Sequence, residues 1–349
     1  MGTVIRTGIA SFGMSGKVFH APFLRNHPGF ELVAIVERHK NESRELYPET
    51  KLLRSFEELL ADDTIELVVV NTPVQTHFEY VKAALEAGKK VVVEKPFTVT
   101  AEEARELEAL VKAKNGFLSV YQNRRYDADA AAVREVVQSG LLGEMKEVEI
   151  RYDRFRPGYS GKEHKEAAIP GSGVLHDLGA HLIDLAITLF GMPEKIFGDL
   201  RVVRGGESKA NDYVEVLMYY TGLRVRIKST VIGRADYPSF ILNGTKGSFT
   251  QERSDTQEAE LLAGKMPSQD DWAPAPPKPD GFLHVDTDGK ELKEHRTSRP
   301  GNFMKYYDGI YAALTGAAAN PVPASDAVKT MTVIDAAIRS NDTGTVVTL

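Results

Sequence analysis

Three sets of residues in this sequence have the types and spacing to do chemistry. The first is Lys95, near the end of Val91-Val92-Val93-Glu94-Lys95-Pro96. Three β-branched residues read as a buried parallel strand, and the carboxyl end of such a strand is where open α/β sheets bind ligands. The competing assignment is a solvated loop lysine. The second set is Asp177 and His181, four residues apart in the mostly apolar run Gly171 to Asp184. On a helix they share a face and can touch. An imidazole titrates near neutrality and can move a proton, and a carboxylate beside it orients the ring. A satisfied structural pair is the alternative. His176, Asp177 and His181 are also metal-ligand types, but His176 and His181 are five apart and diverge around a helix. The third set is the turn Ser11-Phe12-Gly13-Met14-Ser15-Gly16. Gly13 lets backbone approach a pyrophosphate, and Gly16 lets a helix pack closely on a strand. The phosphates then sit at the helix amino terminus. Ser11 stands where G-x-G-x-x-G has its first glycine.

Elements must position these groups. Val4 to Ala10 reads as a strand and about Lys17 to Asn26 as a helix, the setting a dinucleotide fingerprint requires. A second strand, Glu31 to Val36, ends in Glu37-Arg38. An acid there can bond the ribose 2′-hydroxyl of NAD, and an arginine can hold the 2′-phosphate of NADP; both are present. Ser55, Thr76 and Thr100 each precede a Glu by three residues and read as capping boxes opening helices. Apolar strands fall at Glu66–Asn71, around Val91 and at Phe117–Tyr121. This alternation predicts a doubly wound parallel sheet of Rossmann type. Asn71, Thr72, Pro73, His77, Glu94 and Lys95 then lie along its ligand edge. With Ser11 to Gly16, Glu37, Arg38 and Asn123 they make the expected cofactor-binding set.

The pattern changes after Tyr121. Gln122-Asn123-Arg124-Arg125-Tyr126 is dense in hydrogen-bond donors and marks a division into domains 1–122 and 123–349. A helix is expected over Ala128–Ser139, a strand over Glu144–Phe155 and a helix over Gly173–Phe190. Period-two strands follow near Lys195–Arg204, Asp212–Tyr220, Leu223–Val231 and Ser239–Leu242, with hairpin turns at Thr221-Gly222 and Asp288-Gly289. Met266 to Pro279 reads as a long loop, and helices near Asn302–Leu314 and Ser325–Ser340 close the chain. The expected class is α/β, a parallel sheet followed by an α+β domain with a mostly antiparallel open sheet.

The 349 residues suit two domains, and a net charge of −6 argues against a nucleic-acid partner. There is no cysteine, which excludes disulfides, thiolate metal sites and cysteine nucleophiles and fits a reducing cytoplasm. No run approaches the roughly 20 apolar residues of a membrane span, and no secretory h-region is visible, so no membrane partner is expected.

The Glu94-Lys95-Pro96 ending, the Gly13/Gly16 turn and Asp177-x-x-x-His181 after a Gly-rich start together resemble one family. It is the glucose–fructose oxidoreductase and inositol dehydrogenase family, Gfo/Idh/MocA, and the likeness spans the whole length. Gly13-Met14-Ser15-Gly16-Lys17-Val18-Phe19-His20-Ala21-Pro22, Tyr121-Gln122-Asn123-Arg124-Arg125 and Arg154-Phe155-Arg156-Pro157 resemble its branch of NADP-dependent scyllo-inositol dehydrogenases. The resemblance implies NAD or NADP as cofactor, with NADP favoured by the branch. It implies Lys95, Asp177 and His181 as the catalytic set, a cis peptide before Pro96, and homodimers or homotetramers built through the second-domain sheet. The implied reaction moves a hydride between nicotinamide and a secondary alcohol of a cyclic polyol or sugar. His181 would take the proton, Asp177 would orient its ring, and Lys95 would stabilise the developing alkoxide. Telling hydroxyls apart needs paired polar groups. Asn123, Arg124, Arg154, Arg156, Tyr159 and His164 are the candidates, beside Lys95, Asp177 and His181. Two alternatives share the scaffold: a dinucleotide-sensing regulator without turnover, and a reductase of a dihydrodiol or biliverdin.

Overall fold

The computed structural model describes residues 3–268 and 272–349. Gln269, Asp270 and Asp271 of the loop expected over Met266–Pro279 lie outside the described residues. Among those described, no helix is long and apolar enough to cross a membrane.

The chain begins with β1 (Ile5–Ile9), α1 (Ala21–Asn26), β2 (Phe30–Val36), α2 (Glu42–Leu46), β3 (Lys51–Leu53) and α3 (Phe56–Ala61). It continues through β4 (Leu67–Val70), α4 (His77–Glu86), β5 (Lys90–Glu94), α5 (Ala101–Lys114) and β6 (Leu118–Tyr121). The six strands are parallel, in the order β3-β2-β1-β4-β5-β6. The order reverses between β1 and β4, and a ligand crevice belongs at their carboxyl ends. Val91, Val92 and Val93 are fully buried, as a parallel strand covered on both faces requires.

The three expected capping boxes differ. At α5 the box forms: Glu103 N donates to Thr100 Oγ1 and Thr100 N to Glu103 Oε2. At α3, Ser55 Oγ accepts from Glu58 N, but the Glu58 carboxylate turns to Arg54 N instead. At α4 no box forms. A 3₁₀ turn, Val74–Thr76, already leads into that helix, and the Thr76 hydroxyl goes to Pro73 O and Thr72 Oγ1.

The chain then builds α6 (Ala128–Ser139), β7 (Met145–Arg151), α7 (Glu163–Glu166), α8 (Ala180–Phe190), β8 (Lys195–Arg201), β9 (Tyr213–Tyr220) and β10 (Leu223–Thr230). After them come β11 (Phe240–Gly244), β12 (Gly247–Gln251), α9 (Gln257–Leu262), β13 (Gly281–Thr287) and β14 (Lys290–Arg296). α10 (Met304–Leu314), α11 (Ala324–Thr343) and β15 (Val347–Thr348) complete it. The second sheet runs β14-β13-β12-β11-β7-β10-β9-β8-β15, antiparallel except where β10 pairs with β7. Asp288 and Gly289 both have positive φ, 53° and 78°, as a two-residue hairpin of primed type demands. β12 has no period-two signature, only Phe249 in a polar run, and its pairing with β11 and β13 makes it a strand.

The chain forms two compact units: Met1–Asn123 with Gln257–Ala273 and Asn302–Val328, and the remainder. The first unit therefore takes two segments that a single cut at 122/123 assigns to the second domain. Aromatic packing is the reason. Tyr307 stacks on Phe23 with ring centroids 6.0 Å apart, Tyr306 meets Tyr121 edge-on at 4.8 Å, and Trp272 meets Phe23 at 5.7 Å. The free edge of β6 is also covered, with Val120 N donating to Val322 O and Ser119 bridged to Pro323.

Candidate active site

The glycine turn joins β1 to a π-wound first turn, Gly16–His20, that runs into α1; Ala21 N reaches back five residues to Gly16 O. The sequence pattern predicts a helix from about Lys17 to Asn26 without such a turn at its start. The extra residue per turn is a device found often beside functional sites. Gly13 and Met14 are exposed at the tip of the turn. Gly16 is required by close approach: a Cβ there would lie 2.3 Å from Ser11 O and 3.0 Å from Asn71 Nδ2. Asn71 Nδ2 donates to Ser11 O at 2.8 Å, which braces the turn against the end of β4. The Asn71 Oδ1 atom is buried and has no partner within the protein. A tight cradle, exposed backbone at its tip and a buried acceptor needing a donor together fit a bound dinucleotide. Phe12 is different: it is buried, edge-on to Tyr47, and belongs to the core.

At the end of β5, Lys95 and Pro96 are joined by a cis peptide bond. Glu94 is engaged on both oxygens. Oε1 accepts from Ser15 Oγ and from His20 Nε2 at 3.0 Å, and Oε2 accepts from Lys95 N at 3.1 Å. The other nitrogen of His20 lies 2.6 Å from the Tyr307 hydroxyl. Burial pushes the Glu94 carboxyl up, but the His20 ring, the Lys95 ammonium and the Ser15 hydroxyl outweigh it and hold it at about 2. Ser15 and Glu94 were both expected to touch a cofactor; the structure spends their side chains on tying the glycine turn to β5. His77 is likewise internal. It is buried, with Nδ1 2.9 Å from Pro96 O and Nε2 2.8 Å from Thr72 O, so its ring bridges the loops after β4 and β5. Burial lowers its pKa, which keeps the ring neutral. Thr72 and Pro73 belong to the same braced loop.

At the end of β2 the two open alternatives separate. Glu37 is buried and Arg38 is exposed. Glu37 Oε1 accepts from Glu42 N at 3.2 Å, and Oε2 accepts from Ser43 N at 2.8 Å and Ser43 Oγ at 2.5 Å. Its carboxylate therefore caps the start of α2.

In the second unit, Asp177 lies in a π turn, Leu175–Gly179, that feeds α8, with Ala180 N donating to Leu175 O. His181, in the first turn of α8, is buried. Asp177 is half-buried and pairs with Lys165 at 2.9 Å. Asp184, further along α8, makes a two-pronged pair with Arg125, both bonds 2.7 Å, and so holds the helix to the 3₁₀ turn Asn123–Tyr126. Arg124 is buried against Asp127, and Asn123 is buried as well. Arg154 N and Arg156 N donate to Thr230 O and Val231 O, which fixes the strand-like path after β7; Arg156 and Tyr159 are exposed. The side chain of His164 lies outside the described residues.

Two residues that sequence reasoning missed organise this segment. Lys165 donates to Asp177. Arg204, almost wholly buried, donates to Asp212, Glu166, Ser208 and the carbonyls of Arg156 and Gly158, so it stitches the loop before α7 to the strands beneath. Lys165 stands in no periodic pattern or motif, and Arg204, expected at the end of a period-two strand, lies beyond β8, so only the pairing itself reveals either.

Residues 5–122 match the family model described as oxidoreductase family, NAD-binding Rossmann fold. Residues 134–349 match the oxidoreductase family, C-terminal alpha/beta domain. The chain is 39% identical over 336 residues to the oxidoreductase YdgJ of Escherichia coli K12, covering 96% of each. It is 32% identical to the scyllo-inositol 2-dehydrogenase (NADP(+)) IolW of Bacillus subtilis, covering 97% of this chain and 94% of that one. The solved structure of an oxidoreductase from Bacteroides fragilis NCTC 9343 superposes with a TM-score of 0.89 at 42% identity, covering 99% of this chain and 100% of that one. With its parallel nucleotide-binding sheet and its second, mostly antiparallel one, this chain belongs to the Gfo/Idh/MocA family of oxidoreductases, whose first domain binds a nicotinamide dinucleotide.

Proposed function

We propose that this protein interconverts a secondary alcohol and a ketone on a cyclic polyol or sugar, with NADP as the preferred cofactor and an inositol as the nearest substrate class. The observation that carries the reading is the ligand end of β5. There the Lys95 ammonium adjoins a carboxylate, Glu94, that burial fails to neutralise. A fixed cation at that edge of the sheet suits an oxygen that gains negative charge as a C–H bond is broken. When bound, the nicotinamide supplies the hydride acceptor or donor. His181 takes the hydroxyl proton in the oxidising direction and returns it in the reducing one. Asp177 steadies the imidazole and favours its charged form, and Lys165 in turn steadies Asp177. The polyol reading is also supported by the name of the Bacillus subtilis relative. Among the residues suited to sorting ring hydroxyls, Arg156 and Tyr159 are exposed, whereas Arg124 is committed to Asp127.

The test is a panel of inositols and aldoses with NADP and NAD, followed by absorbance of the reduced nicotinamide. Lys95→Ala is expected to lower kcat by about 10²- to 10³-fold while dinucleotide affinity changes by only a few-fold. Turnover that survives the substitution removes Lys95 from the mechanism. Tight dinucleotide binding by the wild-type protein with no turnover of any polyol points to a sensor.

A further inference from the structure

Resting on the reading of the first unit as a dinucleotide site, we infer that Ser43 is a cofactor-selectivity residue acting through Glu37. The residue after β2 is where an acid ordinarily meets the ribose 2′-hydroxyl and so selects NAD. An acid is present here, yet it is folded away. Its two oxygens accept three hydrogen bonds, from Glu42 N, Ser43 N and Ser43 Oγ. Glu37 is 6% exposed, and Ser43 is fully buried beneath it. A carboxylate with two or three such donors has little left to offer a ribose.

The loop that follows is held by a separate clamp. Arg54 Nη1 donates to Glu37 O at 2.9 Å and Lys40 O at 2.7 Å, and Nη2 donates to Asn41 Oδ1 at 2.6 Å. This ties the backbone from 37 to 41 into a closed arch carrying Arg38, His39 and Lys40, all exposed. The arrangement replaces one negative group by a cationic arch, which suits a phosphate monoester on the 2′-oxygen. Lys40 and Lys17 both also pair with Glu42, so Arg38 is the cation left with the most freedom to meet that phosphate. Ser43 touches no cofactor in this scheme; it is a positioning residue whose hydroxyl keeps the acid turned in.

The experiment is a double-mutant cycle on full-length protein. S43A, E37A and S43A/E37A are compared for kcat and KM with NADP and with NAD, and each is checked for an intact thermal transition. S43A removes one of three bonds and lets Glu37 swing toward the ribose. The NADP-over-NAD ratio of kcat/KM is expected to fall about tenfold, about 1.4 kcal/mol, carried by KM more than by kcat. E37A has no acid to release, so adding S43A to it is expected to leave the ratio where E37A put it. An unchanged ratio in folded S43A overturns the proposal, as does the same fall in both backgrounds. If E37A fails to fold, S43A/E37Q replaces the double variant and is judged the same way. A wild-type protein that binds neither dinucleotide instead overturns the underlying reading, an outcome these ratios cannot imitate.

Discussion

Asp129, in the first turn of α6, is fully buried, with Oδ1 accepting from Ala130 N at 2.8 Å and Oδ2 without a partner. Burial pushes its carboxyl up to about 6, against the pull of Arg253, and burial pushes its neighbour Asp127 up as well. The folded chain therefore holds a proton that the unfolded chain gives up near pH 4. In that window the unfolded state binds fewer protons, so stability falls as pH rises from about 4 to about 6. The cost of ionising Asp129 in place is of order 3 kcal/mol. Denaturant midpoints measured across this range should decline for the wild type and decline less steeply for Asp129→Asn, in which Asp127 alone remains pushed up. Parallel curves for the two proteins would show that the proton is held elsewhere. Some of the placement at this scale was legible. Lys95 and Glu94 announce themselves because a β-branched run stops at them. The capture of Glu37 by Ser43 does not, because it depends on α2, a five-residue helix with no apolar period. His77 misled for a related reason: its position in sequence marks the ligand edge, while its burial turns both nitrogens inward.

Helices in both units open with a π turn, Gly16–His20 and Leu175–Gly179, and each carries residues placed in the candidate site. An extra residue in one turn re-aims every side chain after it without altering the order of apolar and polar residues. That is why the sequence pattern predicted plain helices at both places. Of the two, the β1–α1 turn has less room for a side chain at its glycine than the turn ending at Gly179. Gly16→Ala would drive a methyl against Ser11 O, and a carbonyl cannot move aside as a flexible side chain can. The expected result is at least tenfold weaker dinucleotide binding with a lowered Tm, both read by thermal shift with and without NADP. A normal ligand-induced shift in this variant would mean that the turn is not the phosphate cradle. The helix starts teach a similar lesson. Thr100 forms its box, whereas Thr76 has the same spacing and fails, because the 3₁₀ turn before α4 takes its hydroxyl. Spacing identifies a candidate cap; the preceding backbone decides it.

Fold class was the most legible feature of the whole molecule, because strand–helix alternation and then period-two strands survive any detail of packing. The allegiance of distant segments was not. Val120 meets Val322, and Tyr121 meets Tyr306, across some two hundred residues, and no local pattern records such contacts. A fragment of residues 1–123 would lack Tyr306, Tyr307 and Trp272, leaving Phe23, Tyr121 and the β6 edge uncovered. It should bind a hydrophobic dye and melt well below the full chain, or aggregate. A sharp, dye-free transition at the full-length temperature would show that the later segments contribute little.

The return of Asn302–Val328 to the first unit also bears on how the protein is made. A ribosome delivers residues in order, so the nucleotide-binding half, although synthesised first, must wait for the arrival of its last core tyrosines. During that interval its apolar surface stays open to chaperones and to other nascent chains. The second unit is likewise unfinished until Lys329–Leu349 has emerged, so the two units mature almost together.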